Sequence, residues 1–388
     1  FLNHSSILIE KNNEFLYLDP FFQTAAFNTW LPSPPCYINP VYLLAIAKAN
    51  ENFSILISHG HDDHIDDDLL SLFSDKRVFI TNFSSPGLKN RLIKLGFKNI
   101  IELTQKPIQA GSFSLSAYVK EDFSQDDSVQ VISSSDLKFI HANDCWWPLQ
   151  KNHLEEIRKL NGNDIIYASQ IAIADGYPLA YNCFTEEESK DIIQSRVSKH
   201  IYSAFNNAIS LAASKFLHYA GHVKIFSDNN IANLSSGFVE DDFIFSEIER
   251  FKINSVKLLD MKPGDSYKNG EIIHGIGRSV YSSDNIKSAS VDYWNKYGDL
   301  SYKNFSSSFS DIELTDLLKR FSDEFEEYVI NSYKRKNFRL DILKSRLIFE
   351  IKGLSNYTIC MPECNDKDRV DLHVIWSRTI AEMILVGE

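Results

Sequence analysis

The sequence predicts an α/β protein with a smaller α+β region at its C-terminal end. Three observations carry this. Short β-type runs alternate with helix-type stretches through residues 1–170. One of them, Phe53–Ile57, is almost continuously apolar, as in a strand buried on both faces. Beyond Leu300 the texture changes to one long amphipathic stretch followed by three strand-type runs.

Taken in order, Ser6–Glu10 and Phe15–Asp19 read as antiparallel strands joined by the polar turn Lys11–Glu14. Asp19-Pro20 ends the pair, and residues 21–40 read as loop, with Pro32, Pro34, Pro35 and Pro40. Tyr42–Asn50 reads as a helix, Phe53–Ile57 as a strand, Asp67–Phe73 as a helix and Arg77–Thr81 as a strand. Ser85–Leu95 is a helix entered through Pro86. Strands follow at Ser112–Val119, Ser128–Ser133, Leu137–His141 and Asp164–Ala168. Thr185 and Glu188 form a capping-box pattern, which predicts a long helix to about Ile201 and a second over Ala204–Phe216. Asp311–Lys334 is helical, with Leu314, Leu317, Leu318, Phe321 and Phe325 as its apolar positions. Strands are expected at Leu347–Glu350, Tyr357–Cys360 and Val370–Trp376. The Ser/Asp/Asn-rich stretch Ser279–Asp292 marks a boundary between a domain at 1–290 and a small one at 291–388.

The 388 residues are 44% hydrophobic and 13% aromatic, as in a packed globular protein. With 40 Lys and Arg against 52 Asp and Glu, the formal charge is −12. That balance argues against nucleic acid or an anionic membrane as partner and leaves a small-molecule substrate. Lys215, Lys224 and Arg278 are the basic residues that could offset the charge for an anionic substrate. The 5 cysteines, Cys36, Cys145, Cys183, Cys360 and Cys364, form no disulfide framework and point to a cytoplasmic location. No apolar run reaches the roughly 18–20 residues of a membrane span, and no signal-peptide pattern is present. The chain begins at Phe1, in a strand-type stretch, which leaves an upstream segment to be expected.

The chemistry concentrates in Ser58-His59-Gly60-His61-Asp62-Asp63-His64, where 3 of the chain's 11 histidines fall within six residues. Imidazole and carboxylate suit borderline divalent metals such as zinc and iron. Alternation at a strand end puts His59 and His61 on one side, while Asp63 and His64 arrive as the chain turns and can face a second metal. Two metals about 3.5–4 Å apart can activate water or dioxygen, depending on the metal. Asp62, Asp66, Asp67 and Asp68 add a negative field without needing to coordinate. The alternative is a solvated acidic loop that happens to carry histidines.

The order His-x-His-x-Asp-His after an apolar strand resembles the signature of the metallo-β-lactamase fold, which implies an αββα sandwich. The resemblance implies further donors. Asp144, which closes the strand ending in His141-Ala142-Asn143, stands where that fold places a bridging aspartate; a turn or cap is its other reading. His141 is equally well read as buried support. The fold's third histidine for the first metal has no counterpart, since no histidine lies between His64 and His141. Glu121 or Asp122 could replace it, or could be surface acids, and Asp127-Ser128 resembles the fold's supporting Asp-Ser turn. For the late histidine the candidates are His218 and His222, with His222 favoured by the Ala220-Gly221 turn. His4 could line the site. His153, His200, His274 and His373 have no motif context.

Within that superfamily, five segments resemble the corresponding part of the CMP-N-acetylneuraminate hydroxylase family, in order over residues 1–290. They are Trp30–Pro35; Asp127–Val129 with Lys138–Cys145; Ala174–Tyr181 with Phe184–Glu188; Tyr219–His222; and Met261–Asp265. The segment around Val370–Val374 is similar to sterol-carrier-like tails. This narrower resemblance implies a non-haem diiron oxygenase or hydroxylase acting on a sugar nucleotide or related N-acylated metabolite. Its Rieske domain has no counterpart in this sequence, so electrons would come from an upstream domain or a separate electron-donor protein. The expected site is then two divalent metal ions, with iron favoured and zinc the alternative. The donors are His59, His61, Asp63, His64, Glu121, Asp144 and His222, and Asp63 and Asp144 are catalytic. Trp146, Trp147 and Tyr177 would be pocket aromatics or core. The competing reading is a zinc-dependent metallohydrolase of a phosphodiester, lactone or amide; the third is a non-catalytic relative.

Overall fold

The computed structural model describes residues 1–21, 30–32, 41–119, 127–145, 149–171, 177–178, 184–220, 223–227, 230–234, 241–275, 310–334, 345–351, 353–360 and 370–376. The chain divides into two compact units, Phe1–Ser301 and Tyr302–Glu388. The boundary expected at 290 lies outside the described residues.

The first unit opens with the hairpin β1 (Ile7–Lys11) and β2 (Glu14–Leu18). Asn12 and Asn13 both take positive φ, 53° and 61°, which gives a two-residue turn whose twist suits adjacent strands. β4 (Phe53–Ile57), β5 (Arg77–Thr81) and β6 (Ile100–Leu103) extend the sheet in parallel, in the order β1-β2-β4-β5-β6. Between them run α1 (Val41–Ala49), α2 (Asp67–Ser71) and α3 (Gly87–Lys94). Asp66 caps α2 by accepting from Leu69 N at 3.0 Å.

The second sheet contains β7 (Ile108–Ala110), β8 (Phe113–Val119), β9 (Ser128–Ser133), β10 (Leu137–Asn143), β11 (Asp164–Ser169), β12 (Lys215–His218) and β15 (Lys257–Leu259). Its order is β15-β12-β11-β10-β9-β8-β7, parallel from β15 to β10 and antiparallel from there on. Its helices are α4 (Lys151–Lys159), α5 (Glu186–Ser210) and α6 (Asp241–Arg250). Among the described residues, three smaller pairings are also present: β3 (Trp30–Pro32) with β13 (Val223–Ser227), β13 with β14 (Asn230–Leu234), and β16 (Ser266–Lys268) with β17 (Glu271–Ile273).

Alternation along the strands builds three apolar layers. Leu16, Leu18, Leu56 and Phe79 face Leu115, Ile132, Phe139 and Ile166 between the sheets. Tyr17, Phe53, Ile55 and Val78 turn outward to Leu43, Leu70 and Leu92 of α1, α2 and α3. On the far side, Val131, Ile140, Tyr167 and Phe216 meet Ile157, Val197, Ile201, Phe205 and Ile244 of α4, α5 and α6. The result is the expected αββα sandwich, with β4 buried on both faces.

Two expectations are corrected here. The separate helices ending at Ile201 and starting at Ala204 are one helix, α5, with Thr185 capping box and all. Lys215 and Phe216, expected to end the second helix, instead open β12, because Ala212, at φ 55°, turns the chain and Phe216 and Leu217 fill a strand between β11 and β15. With only Phe216 and Leu217 apolar, β12 is too short to carry a period that tells strand from helix.

The second unit packs α7 (Asp311–Lys334) on a sheet of β18 (Ser345–Ile351), β19 (Ser355–Cys360) and β20 (Val370–Trp376), in the order β19-β18-β20. Leu314 and Leu318 bury against Leu347, Phe349, Ile351 and Ile359, with Phe321 and Phe325 beside them.

Candidate metal centre

All the described donors meet where β2, β4 and β10 end and β9 begins. Asp19 follows β2, His59 follows β4, Asp144 follows β10 and Asp127 precedes β9. Two groups of donor atoms form there, each within 4.8 Å of one another: His59, His61, Asp127 and Asp144; and His4, Asp63 and His64.

In the first group His59 Nε2 lies 2.8 Å from His61 Nδ1, 3.7 Å from Asp127 Oδ1 and 3.6 Å from Asp144 Oδ2. Metal–nitrogen bonds of about 2.0–2.1 Å place neighbouring donors roughly 3 Å apart, so this spacing suits one cation. In the second group Asp63 Oδ2 lies 3.4 Å from His4 Nε2 and 3.5 Å from His64 Nε2. Asp144 Oδ2 is also 3.7 Å from His64 Nε2, so this carboxylate reaches both groups.

Asp19 organises the histidines. It is fully buried and accepts from Ser58 N and Ser58 Oγ, each at 2.8 Å, from Asn143 Nδ2 at 3.0 Å and from His141 Nε2 at 3.0 Å. His64 Nδ1 donates to it at 3.1 Å. Burial opposes its ionisation, but His141 and His64 outweigh that and hold the carboxyl well below the usual range. An ionised carboxylate only accepts, so His64 carries a proton on Nδ1 and presents Nε2 to the site. Ser58 Oγ is committed to Asp19 and accepts from His59 Nδ1 at 3.0 Å, which leaves His59 Nε2 as a lone pair. His4, Asp19 and Asn143 all adopt left-handed backbone, with φ 42°, 40° and 54°.

Burial, then repulsion by His64, push His59 down to about 3, so it is a neutral donor at neutral pH. Burial alone would lower His64, but Asp63 and Asp144 raise it well above the ordinary histidine value. Asp63 and Asp144 are both lowered: burial opposes this, and His64 overrides it.

The donor set fits a pair of divalent cations. His64 Nε2, both ring nitrogens of His4 and Asp63 Oδ1 are buried without a hydrogen bond. Polar atoms turned toward one another at such depth without hydrogen bonds are costly unless something charged sits among them.

His59, His61, Asp63, His64 and Asp144 therefore come together. Glu121, Asp122, His222, Trp146 and Trp147 lie outside the described residues. His218 ends β12, half-buried, and joins neither group. Tyr177 is 40% exposed, under Arg196 and against Phe184. Asp66 serves as a helix cap, and Asp62 and Asp67 pair with Arg91. His141 is buried support. His153 bonds Gln105 at 3.1 Å and His373 pairs with Glu350 at 2.8 Å. Lys215 pairs with Asp164 at 2.5 Å at the opposite strand ends and cannot balance charge at the site.

The roles of three residues went unread in the sequence. Asp127 stands among the donors, not merely in a supporting turn. Asp19, read only as a strand end, is the hub. Arg91 reaches the donor loop from α3, its Nη1 at 3.0 Å from Gly60 O and 2.9 Å from Asp62 and its Nε at 2.8 Å from Asp67. The Asp19-Pro20 pair was the one available signal for the hub; a lone arginine on a helix offers none.

No family model matches the chain. It is 30% identical over 105 residues to a predicted Rieske 2Fe-2S iron-sulfur protein of Mycolicibacterium smegmatis, covering 26% of this chain and 19% of that one. The chain thus spans about a fifth of the length of the curated relatives it matches. Among solved structures, the metallo-beta-lactamase fold protein YhfI of Bacillus subtilis is 14% identical at a TM-score of 0.42, covering 70% of this chain and 92% of its own. An isothiocyanate hydrolase of Delia radicum gut bacteria is 10% identical at a TM-score of 0.41, covering 70% and 97%. The αββα layering, with its histidine loop after β4, is the metallo-β-lactamase fold.

Proposed function

We propose that this chain is a dinuclear metal-dependent hydrolase. The observation that carries the reading is Asp144 Oδ2, within 3.6 Å of His59 Nε2 and 3.7 Å of His64 Nε2. One carboxylate shared by two donor groups is what a pair of adjacent cations requires. His59, His61 and Asp127 would hold one cation, His4, Asp63 and His64 the other, and Asp144 both. A pair of divalent cations held there would lower the pKa of a bound water toward neutrality and polarise the scissile bond.

The protein's own part follows from its geometry. Asp19 keeps the proton of His64 on Nδ1, and Ser58 keeps that of His59 on Nδ1, so both Nε2 atoms stay available. Asp63 and Asp144 stay ionised, and either can take a proton from the attacking water. The three coordinating carboxylates and the ionised Asp19 would balance the four positive charges of two dications, so the loaded centre would not add to the chain's −12 and would admit an ester, lactone or phosphodiester. His61, the exposed donor, marks the side from which substrate enters.

A second reading, diiron oxygenation of an N-acylated metabolite, is favoured by two observations. Asp127 puts a carboxylate where a third histidine would favour zinc. The mycobacterial relative that matches over 105 residues is described as a Rieske protein, an electron-transfer type.

Protein purified without chelator separates the two. Metal content would be read on the same sample as turnover of phosphodiesters, lactones and amides in ¹⁸O-labelled water. Two cations per chain with label entering the product is the expected result. Two irons, reductant-dependent oxygen uptake and no hydrolysis would replace it with the second reading.

A further inference from the structure

Tyr219 follows β12 and is 1% exposed, in the layer between the sheets. Its hydroxyl has two partners. Asn143 N–H donates to it at 3.0 Å. His141 Nδ1 lies 2.5 Å away. The proton positions follow from Asp19. His141 Nε2 faces that carboxylate at 3.0 Å and must carry a hydrogen. In the neutral ring Nδ1 is then the acceptor, and the tyrosine O–H donates to it.

Two branches leave this hydroxyl. One runs through the backbone of Asn143, held at φ 54°, to the next residue, Asp144. The other runs through His141 and Asp19 to His64 Nδ1 and to Ser58, the partner of His59. The carboxylate that reaches both donor groups, and a histidine from each group, are thus referred to one oxygen on a different strand.

We infer that Tyr219 is a positioning residue that fixes the two donor groups relative to each other, so that its hydroxyl sets cation affinity without touching a cation. This rests on the dinuclear metal-centre reading above. A core hydroxyl satisfied for stability alone would look similar, and Tyr167 supplies the comparison. It is also fully buried, but its hydroxyl accepts from Asn207 Nδ2 at 3.2 Å in the layer on the helix side.

The test uses the full chain as wild type, Tyr219→Phe and Tyr167→Phe, each stripped with chelator and titrated with zinc alone against a competing chelator. Melting is recorded on the metal-free proteins, and the visible spectrum on cobalt-loaded ones. Wild type should take two zinc ions. Tyr219→Phe should bind zinc roughly 10–100-fold more weakly, the range for outer partners of metal donors, with an altered cobalt spectrum. Tyr167→Phe should bind as wild type does, even though its melting point also falls. Should Tyr219→Phe fail to fold, His141→Gln, which keeps a donor for Asp19 but breaks the link to Tyr219, should show the same weakening. Unchanged zinc affinity in the folded variant would overturn the inference, as would equal weakening in Tyr167→Phe. A wild type that takes up no divalent cation would instead remove the reading beneath it.

Discussion

His4, Asp63 and His64 are all buried, whereas in the other group only His59 is buried, His61 is exposed and Asp127 and Asp144 are half-buried. The two donor groups both draw on the loop after β4 yet are held by different physics. The buried group rests on Asp19 and the core between the sheets, where hydrogen bonds act at low dielectric and are well screened from water. The outer group depends at His61 on a turn braced by Arg91, whose side chain is 28% exposed. The buried half is therefore preorganised, and the outer half is the one able to yield to substrate.

Four changes would sharpen or break that contrast. Asp144→Ala should have the largest effect, since it touches both groups. Both cations should be lost, with affinity falling by more than the roughly 100-fold upper range for outer partners; retention of two zinc ions by elemental analysis would refute a shared carboxylate. Asp19→Asn should come next. It should weaken the buried group roughly 10–100-fold and cost about 3 kcal/mol of stability by denaturant titration, because a buried charge network loses one partner.

The third is pH. In the metal-free protein His64 is raised by Asp63 and Asp144 against its burial, so its proton stabilises the fold below the ordinary histidine pKa, and that contribution is lost as pH rises through the raised value. A cation must displace that proton from Nε2. Zinc affinity should therefore climb with pH through neutrality, by up to about tenfold per unit for one proton, in chelator competition. A flat profile would mean that His64 is not a donor. The smallest effect belongs to Arg91→Ala. Its partly exposed ion pairs are each worth about 0–1 kcal/mol, so stability should barely move. Zinc in the outer group should exchange faster than in the buried one.

The layered fold was legible because buried strands announce themselves by composition, and the loop after β4 because ligand-type residues rarely cluster so tightly. Asp144 was legible from its place at a strand end. Asp127 was not, since one aspartate in an acidic loop carries no periodic signal. Nor was Asp19, whose role depends on Ser58, His64, His141 and Asn143, which only the fold brings to it. The start of β12 was misread because its two apolar residues, Phe216 and Leu217, support either period.

His4, Asp19 and Asn143 are left-handed without being glycine. Histidine, aspartate and asparagine enter that conformation more readily than most residues, but glycine does so with no Cβ to oppose it. Glycine at any of the three should ease the backbone while deleting a donor, the hub or a partner of the hub. Selection for a more robust chain and selection for metal chemistry thus pull in opposite directions at these positions. A lineage released from its chemistry should drift to glycine there first, which makes the three residues a record of whether the centre is still in use.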